Sequence, residues 1–436
     1  MATGREDENV NLAVTKTLVA QYTKRDAMLY ALGIGCCSDG SDKDNYDREL
    51  RFVYEHHPKF EPFPIFLLAL PFVAEEQQSG DEMLSRGPRL GFGIRPFPPD
   101  YVANYLEDGT TCGPLPKEFF KNRTDIKEVQ DLPMLHISQS LILHGKIKLS
   151  EKQVDQGIMV DPSIRILLET EIVSVKPRSL GTFITSETKY YQDGNCIATS
   201  QMVALILGLD PEMIVPWKAP LKNNLSSSRK ISEPAQSQSY ANAAQEVDKD
   251  RHKQKTVLQC NIQSNAALLY RLSGDYNSIH VVEDNLLLGP DDDHSGKVQK
   301  KRGAVLHGLC TMGHAVRAIL HHLDKHHHFD KSGEEGKKSE DVRLASVRCN
   351  FVQPVFVGDV LHVEVWEEED DFTSRVKNSF EVNFRVYRGR IPYLSDMAEK
   401  QRESENKHSN VVVDSGKAQF CLRRHRTNVA RTISRL

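Results

Sequence analysis

The chain has 436 residues, which is long enough for two or more domains with separate cores. Its net charge of −4 gives no indication of nucleic acid or an anionic membrane as a partner, and no run approaches the roughly 20 apolar residues of a membrane span. Its start is too acidic for a secretory or mitochondrial leader, and its eight cysteines include no CxxC pair, which argues against a disulfide framework or a structural zinc site.

The first part of the chain is predicted to place one helix on one antiparallel sheet. An amphipathic helix is expected from about Val14 to Leu32, and the apolar run Phe63–Val73 is expected to be the central helix. Four segments rich in β-branched residues follow and predict strands at Ser138–Leu149, Ile164–Lys176, Thr182–Gln192 and Cys196–Gly208.

Two segments of different composition divide the chain. Residues 75–130 carry Gly, Pro and charge and are interpreted as a partly ordered insertion. Residues 216–255 are rich in Ser, Asn, Gln, Ala and Lys, which is typical of a linker that cannot form a core. We therefore expect domains at 1–215 and 256–421, followed by a tail at 422–436.

A short polar motif opens the second domain. Asn265–Leu272 has the pattern of a two-turn helix with Ser264 as its N-cap, and Ser273-Gly274 ends it. Asp275-Tyr-Asn277-Ser-Ile-His280 follows and brings together a carboxylate, an amide and an imidazole that can hold and deprotonate one water. The alternative is an ordinary loop, in which Asp275 and Asn277 cap turns and His280 is exposed.

A second, buried helix is predicted to begin at Gly308. Its N-terminus would present unpaired N–H groups and the positive end of the helix dipole to an oxyanion. Its apolar residues recur at helical spacing at Leu309, Met312, Val316, Ile319, Leu320 and Leu323. Strands are expected at Ala345–Phe351, Asp359–Glu367, Ser379–Tyr387 and Val411–Cys421. The alternation within Asp359–Glu367 and Ser379–Tyr387 predicts that these two have one face in water.

These blocks resemble a known family. Leu268-Leu-Tyr-Arg-Leu-Ser-Gly-Asp275-Tyr-Asn277-Ser-Ile-His280, followed by Val305-Leu-His-Gly308-Leu-Cys-Thr-Met-Gly313, is similar to the hydratase 2 signature. This signature belongs to the MaoC-like (R)-specific enoyl-CoA hydratases and to the hydratase domain of peroxisomal multifunctional enzyme type 2. Tyr30-Ala-Leu-Gly-Ile-Gly35 with Leu50-Arg-Phe-Val-Tyr-Glu55 resembles the start of that family's N-terminal half. The resemblance implies an α+β double hot dog, with each antiparallel sheet wrapped around a long helix.

The resemblance also implies a reaction, the reversible hydration of trans-2-enoyl-CoA to (3R)-3-hydroxyacyl-CoA. Asp275 and His280 would share one water, Asn277 would orient the water or the pair, and the backbone N–H of Gly308 would bind the thioester oxygen. Which of Asp275 and His280 is the base stays open. No metal or redox cofactor is required, and the N-terminal half, which lacks a second such motif, would accommodate the acyl chain.

The remaining features carry weaker predictions. An enlarged loop at 290–302 contains Lys297, Lys300, Lys301 and Arg302, which either meet CoA phosphates or are solvated charge. A second insert, at 388–410, is interpreted as a disordered hairpin tip. Cys310 is expected to be a small core residue and His307 to pack beside the site. A hot dog thioesterase and a disabled acyl-CoA-binding protein are the competing functions.

The C-terminal tripeptide predicts a location. Ser434-Arg435-Leu436 resembles Ser-Lys-Leu, a peroxisomal address that an import receptor binds. Beside an acyl-CoA hydratase signature, it indicates peroxisomal fatty acid β-oxidation. The expected partners are therefore the acyl-CoA substrate and the import receptor, with homodimer formation left open.

Overall fold

The computed structural model describes residues 15–38, 43–76, 111–112, 115–116, 119–121, 132, 134–149, 164–220, 255–281, 304–327, 341–367, 379–389 and 410–423. The described helices are α1 (Lys24–Gly33), α2 (Lys43–Val53), α3 (Ala266–Tyr270) and α4 (Gly308–His327), with 3₁₀ segments at Phe66–Val73, Pro211–Met213, Arg271–Ser273 and Ser278–His280. The described strands are β1 (Thr15–Tyr22), β2 (Glu75–Glu76), β3 (Thr111–Cys112), β4 (Leu115–Pro116), β5 (Met134–Leu143), β6 (Ile164–Arg178), β7 (Gly181–Gln192), β8 (Asn195–Leu207), β9 (Trp217–Lys218), β10 (Lys255–Asn261), β11 (Asp341–Phe351), β12 (Val360–Glu367), β13 (Ser379–Arg388) and β14 (Val411–Arg423).

A single antiparallel sheet of twelve strands joins the two halves of the chain. Its order is β10-β12-β13-β14-β11-β5-β8-β7-β6-β1-β2, with β9 paired to β6. The halves meet where β5 pairs with β11, from Ser138 opposite Asn350 to Ile142 opposite Ser346. Two sheets joined at one edge and curved over buried helices form the double hot dog, so the predicted fold class is confirmed.

The first predicted helix, from about Val14 to Leu32, is correct only in its second part, which is α1. Residues 15–22 form strand β1, which pairs with β6 along its whole length, and the helix starts only after Thr23. Thr23 caps α1 because its side chain accepts from the Asp26 backbone N–H while the Asp26 carboxylate accepts from the Thr23 N–H. The apolar residues of 15–22 thus serve a strand instead of a helix.

The predicted central helix of the first half is also different. Phe66–Val73 is a 3₁₀ segment containing Pro71, and Phe66 to Leu70 are buried. Proline lacks the N–H that an α-helix needs at that position, which accounts for the tighter, interrupted form. Of the predicted insertion, the short β3–β4 pair is described, and Leu115, Phe119 and Phe120 are buried in a small cluster with Ile214.

Helix α4 is the center of the second half, as predicted. Its apolar stripe is buried, each residue being at most 5% exposed: Leu309, Met312, Val316, Ile319, Leu320 and Leu323. Cys310 is fully buried and its thiol donates to the Gly33 carbonyl, so it is a core residue as expected. The helix packs on β10, β11 and β12 and also reaches α1 of the first half.

One glycine sets how closely α4 approaches the first half. A Cβ on Gly313 would overlap Cγ2 of Ile34 and lie 3.0 Å from its Cβ. Gly to Ala inside a helix ordinarily stabilises by up to about 1 kcal/mol. Here we expect Gly313→Ala to lower the free energy of unfolding by about 1–3 kcal/mol, as overpacking does.

Urea unfolding followed by circular dichroism measures that change. The comparison is made in an Ile34→Ala variant, which lacks the obstructing Cγ2. There, Gly313→Ala should lower the free energy of unfolding by less than it does in the wild type. A Gly313→Ala variant that is more stable than the wild type would contradict the close approach of the two helices.

The prediction of a wet face on the later strands is wrong in part. Glu364 on β12 and Asn383 on β13 belong to that face, yet they are 0% and 5% exposed. Neighbouring side chains cover Glu364: Nζ of Lys255 and the hydroxyl of Tyr387 both lie 3.4 Å from its Oε2. Alternation of polar and apolar residues predicts that this sheet face is exposed to solvent. Long polar side chains on it can nevertheless cover one another.

Two buried ion pairs link α2 of the first half to α4 of the second. Nη1 of Arg317 lies 2.9 Å from Oε1 of Glu49, and Nη2 of Arg51 lies 3.1 Å from Oδ2 of Asp324. The Glu49 carboxylate also accepts from the backbone N–H of Cys37 at 2.6 Å. Among the described helices, none is long and apolar enough to cross a membrane.

Candidate active site

The predicted motif helix ends where the polar loop begins. Helix α3 is capped by Asn265, without a side-chain bond, so the expected cap at Ser264 is wrong by one residue. A 3₁₀ turn, Arg271–Ser273, carries the chain to Gly274, whose φ is +127°. L side chains rarely adopt this conformation, so glycine is required where the helix turns into the loop.

Gly274 also lies against the first half of the chain. A Cβ there would come within 2.5 Å of Cγ1 of Val73 and 3.1 Å of Cβ of Phe72. The 3₁₀ segment of the first half therefore supports the residue immediately before Asp275. This contact joins segments about two hundred residues apart, so the sequence of the motif does not predict it.

The loop from Asp275 to His280 is held by its own side chains. Oδ1 of Asp275 accepts from the Asn277 backbone N–H at 3.3 Å, and Oδ1 of Asn277 accepts from the Ile279 N–H at 3.2 Å. The His280 N–H donates to the Asn277 carbonyl at 3.2 Å. Asp275 and Asn277 do cap turns, but His280 is only 7% exposed, which is not what the ordinary-loop alternative requires.

The His280 ring is fixed with one nitrogen facing Asp275. Nδ1 lies 2.8 Å from the Val305 carbonyl, and because a carbonyl only accepts, Nδ1 carries the proton of the neutral ring. Nε2 then has the lone pair, 4.0 Å from Oδ2 of Asp275. That distance is too long for a direct hydrogen bond and is compatible with a water that contacts both atoms.

Burial shifts both groups toward their neutral forms. It raises the pKa of Asp275 above 3.8, against the opposing effects of His280 and of the Asn277 N–H. It lowers the pKa of His280 below 6.5, against the opposing effects of Asp275 and of the Val305 carbonyl. Each shift favours the uncharged form, and an acid and a base side by side are the pairing that proton transfer in both directions needs.

His307 connects this pair to the start of α4. Its Nε2 lies 3.1 Å from the Asp275 carbonyl, and its ring stacks on His280 with centroids 3.5 Å apart and planes 21° apart. The next residue is Gly308, the first of the helix, where a Cβ would lie 3.3 Å from the ring of Phe351. The structure thus brings Asp275, His280 and the helix N-terminus together, as predicted.

The same three side chains do not form a good metal site. One donor atom each from Asp275, His280 and His307 lies within 4.8 Å of the others. A metal binds an imidazole in the plane of its ring, about 2.1 Å from nitrogen. Two stacked rings whose planes differ by 21° do not meet within that distance, so the two histidines cannot both coordinate one ion in this arrangement.

Other predicted site residues lie outside the described part of the chain. These are the tentative CoA contacts Lys297, Lys300, Lys301 and Arg302, and the tripeptide Ser434, Arg435 and Leu436. The sequence placed His307 beside the site but missed its contacts with both catalytic candidates. The available signal was its place directly before Gly308.

Comparison with known proteins identifies the domains. The MaoC like domain model matches residues 243–385, which include Asp275, His280 and Gly308. The MFE-2 hydratase 2 N-terminal domain model matches residues 20–90. The chain therefore has one segment that matches a MaoC like domain and another that matches an MFE-2 hydratase 2 N-terminal domain. The family resemblance drawn from the motifs is therefore confirmed.

Similarity to curated proteins extends over most of the length of the chain. It is 23% identical over 375 residues to enoyl-CoA hydratase 2, peroxisomal, of Arabidopsis thaliana, covering 84% of this chain and 90% of that protein. It is 22% identical over 356 residues to peroxisomal multifunctional enzyme type 2 of Drosophila melanogaster, covering 80% of this chain but 42% of that protein. The crystal structure of a MaoC-like dehydratase from Phytophthora capsici, 21% identical, has the same fold with a TM-score of 0.53, covering 97% of this chain and all of that one.

Proposed function

We propose that the chain catalyses the reversible hydration of trans-2-enoyl-CoA to (3R)-3-hydroxyacyl-CoA in peroxisomal fatty acid β-oxidation. The observation that carries the proposal is the pairing of buried His280 with half-buried Asp275, 4.0 Å apart, beside the N-terminus of a buried helix. The two matching domain models and the enoyl-CoA hydratase 2 of Arabidopsis thaliana support the reaction class.

His280 is proposed as the base in the hydration direction. Its Nε2 lone pair faces the water position, because Nδ1 is engaged by the Val305 carbonyl. Nε2 takes a proton from the water as the water oxygen bonds to C3, and the C2=C3 electrons move into an enolate. Asp275 in its protonated form then gives its proton to C2. A proton returns from His280 to Asp275 and restores the neutral pair.

Gly308 is proposed to stabilise the enolate. The N-terminal backbone N–H of α4 would bind the thioester oxygen, and the interaction strengthens as negative charge develops there. In comparable sites one such donor contributes about 3–4 kcal/mol to the transition state. Asn277 is proposed to hold the loop that presents both catalytic groups, since its backbone and side chain bond both flanks.

The remaining parts of the proposal concern binding and location. The N-terminal half, 1–215, is proposed to accommodate the acyl chain, and the lysines and arginine of the 290–302 loop to meet CoA phosphates. Peroxisomal import through Ser434-Arg435-Leu436 fits relatives named peroxisomal. Homodimer formation stays a prediction.

One assay tests the reaction class. Purified full-length protein is incubated with crotonyl-CoA and with a longer trans-2-enoyl-CoA, while the conjugated thioester absorbance and free thiol are followed together. Loss of absorbance without thiol supports hydration. Thiol release would indicate a thioesterase instead, and no change with either substrate would favour an acyl-CoA-binding protein without activity.

The hydration rate should depend on pH, and the burial of His280 sets where its acid limb lies. Activity needs neutral His280 and protonated Asp275, so kcat/KM should fall on the acid side as His280 gains a proton and on the alkaline side as Asp275 loses one. Since burial lowers the pKa of His280, the acid limb should lie below pH 6.5. Stopped-flow hydration rates between pH 4 and 10 measure both limbs.

An independent control comes from Asp275→Asn. Asn, like the protonated Asp275 of the active form, carries no charge, so the acid limb of the residual activity should stay below pH 6.5 while the alkaline limb set by Asp275 is lost. An acid limb above pH 6.5 in the wild type would contradict the assignment of His280 as a buried base.

A further inference from the structure

His307 contacts both members of the catalytic pair, although the reaction as proposed assigns it no proton. Its Nε2 lies 3.1 Å from the backbone carbonyl of Asp275, and its ring covers His280 at 3.5 Å. Its own carbonyl accepts from the N–H and the hydroxyl of Thr311 at 3.0 and 3.3 Å. One residue therefore ties the loop, the base and the first turn of α4 together.

The protonation state of His307 is set by its surroundings. The residue is 2% exposed, and burial holds the pKa of its imidazole well below 6.5, with His280 acting in the same direction. The ring is therefore neutral and has one N–H, which Nε2 donates to the Asp275 carbonyl. Its ring also packs against Tyr270, with centroids 4.8 Å apart.

The need for such a support follows from how His280 is held. The bond from Nδ1 to the Val305 carbonyl fixes one edge of the ring but leaves rotation about that edge. Rotation would swing Nε2 away from Asp275 and the shared water. Displacement of a catalytic group by about 1 Å can cost 10²-fold in rate. The stacked face of His307 blocks that rotation on one side.

We propose that His307 is a positioning residue for the hydration reaction: its ring fixes the plane of His280 and its N–H fixes Asp275, so that Nε2 and the carboxylate face the same water. The proposal rests on the proposed function of the Asp275–His280 pair. His307 need not touch the substrate for this role.

Two substitutions separate the two contacts. In His307→Gln, the side-chain amide places an N–H near the position of Nε2 but offers no ring to stack. In His307→Phe, the ring is kept and the donor is lost, which leaves a buried carbonyl unpaired and threatens folding. We expect kcat to fall about 10- to 100-fold in each folded variant, with KM within about 3-fold, because the loss is one of orientation.

The pH profile supplies a readout that a merely structural role would not move. Replacing the ring by Gln opens His280 to water, and less burial raises its pKa toward 6.5. The acid limb should therefore move to higher pH in His307→Gln. His314→Gln is the matched control, since His314 is 1% exposed on the same helix and is packed against Gly35 instead of the site. It should retain the wild-type limb.

A second measurement keeps this inference separate from the proposed function. The imidazole of His280 can be titrated by NMR in ¹³C-histidine-labelled protein, with His280→Gln identifying its signal among the 17 histidines. If the wild type lacked hydratase activity, the proposed function would fail, yet the titration of His280 should still move upward in His307→Gln. A folded His307→Gln with wild-type kcat and an unmoved His280 titration would overturn the positioning role.

Discussion

Asp275→Asn and His280→Gln should each lower kcat for enoyl-CoA hydration by about 10²- to 10⁴-fold, the usual contribution of a positioned acid or base. Both replacements nearly keep the side-chain shape, so the loop should remain folded. In Asp275→Asn the side chain still has an oxygen that can accept from the Asn277 N–H, but it cannot exchange a proton with C2. In His280→Gln the lone pair that faces the water is lost. Initial rates with crotonyl-CoA measure both effects.

The double variant provides an internal check. Residues that act as a unit in one step give strongly non-additive losses. Asp275→Asn combined with His280→Gln should therefore be little slower than the slower single variant. The exposed pair His56 and Glu55, 3.4 Å apart, is the matched control, and Glu55→Gln with His56→Gln should leave the rate unchanged. Single variants within 2-fold of the wild type would refute the site assignment.

Breaking the buried pair of Glu49 and Arg317 should be the most destabilising charge substitution among the pairs described here. The two side chains are 9% and 16% exposed, and Glu49 also holds the Cys37 N–H. Removing one partner leaves the other charge buried without compensation, which costs about 3–5 kcal/mol. We expect losses of that size for Glu49→Gln and Arg317→Met in urea unfolding.

Two comparisons show whether burial is the cause. Glu49→Leu combined with Arg317→Leu removes both charges and should cost less than the sum of the single changes. The pair of Lys148 and Asp193 is just as short, at 3.0 Å, but both side chains are 66% exposed. Lys148→Met should cost less than about 1 kcal/mol. Equal losses at the two pairs would contradict the argument from burial.

The second half of the fold could be predicted from the sequence because its patterns are local. The stripe from Leu309 to Leu323 repeats at helical spacing, and α4 begins at Gly308 as expected. The strand expected at Ser379–Tyr387 is Ser379–Arg388. In both elements the apolar residues that tertiary packing buries recur at the period of the element, although Asn383 on the opposite face of β13 is buried as well.

The first half was harder to predict, because its apolar spacing is compatible with either a helix or a strand. Apolar residues such as Leu18 and Tyr22 lie four apart, which suits a helix face and equally one face of a strand. Pairing with β6 decides for the strand. Strand β10, at Lys255–Asn261, is absent from the predicted strands, because its partner β12 lies about a hundred residues away.

The sequence predicted the residues of the candidate site but not the long-range contacts that hold them in place. Asp275 and His280 are five residues apart, so a motif captures them. The bond from His307 to Asp275 joins residues 32 apart, and the ion pair of Glu49 with Arg317 joins residues 268 apart. Contacts of that separation depend on how the halves pack and leave no periodic signal.

The central claim is that one pair, half-buried Asp275 and buried His280, adds both parts of a water to one face of the enoyl group. Hydration of crotonyl-CoA in D₂O, followed by NMR of the product, tests it directly. Since Nε2 and Oδ2 lie only 4.0 Å apart, deuterium at C2 and oxygen at C3 should arrive on the same face, in a (3R) product without thiol release. Addition to opposite faces would mean that a second group elsewhere supplies the proton, and would contradict the account.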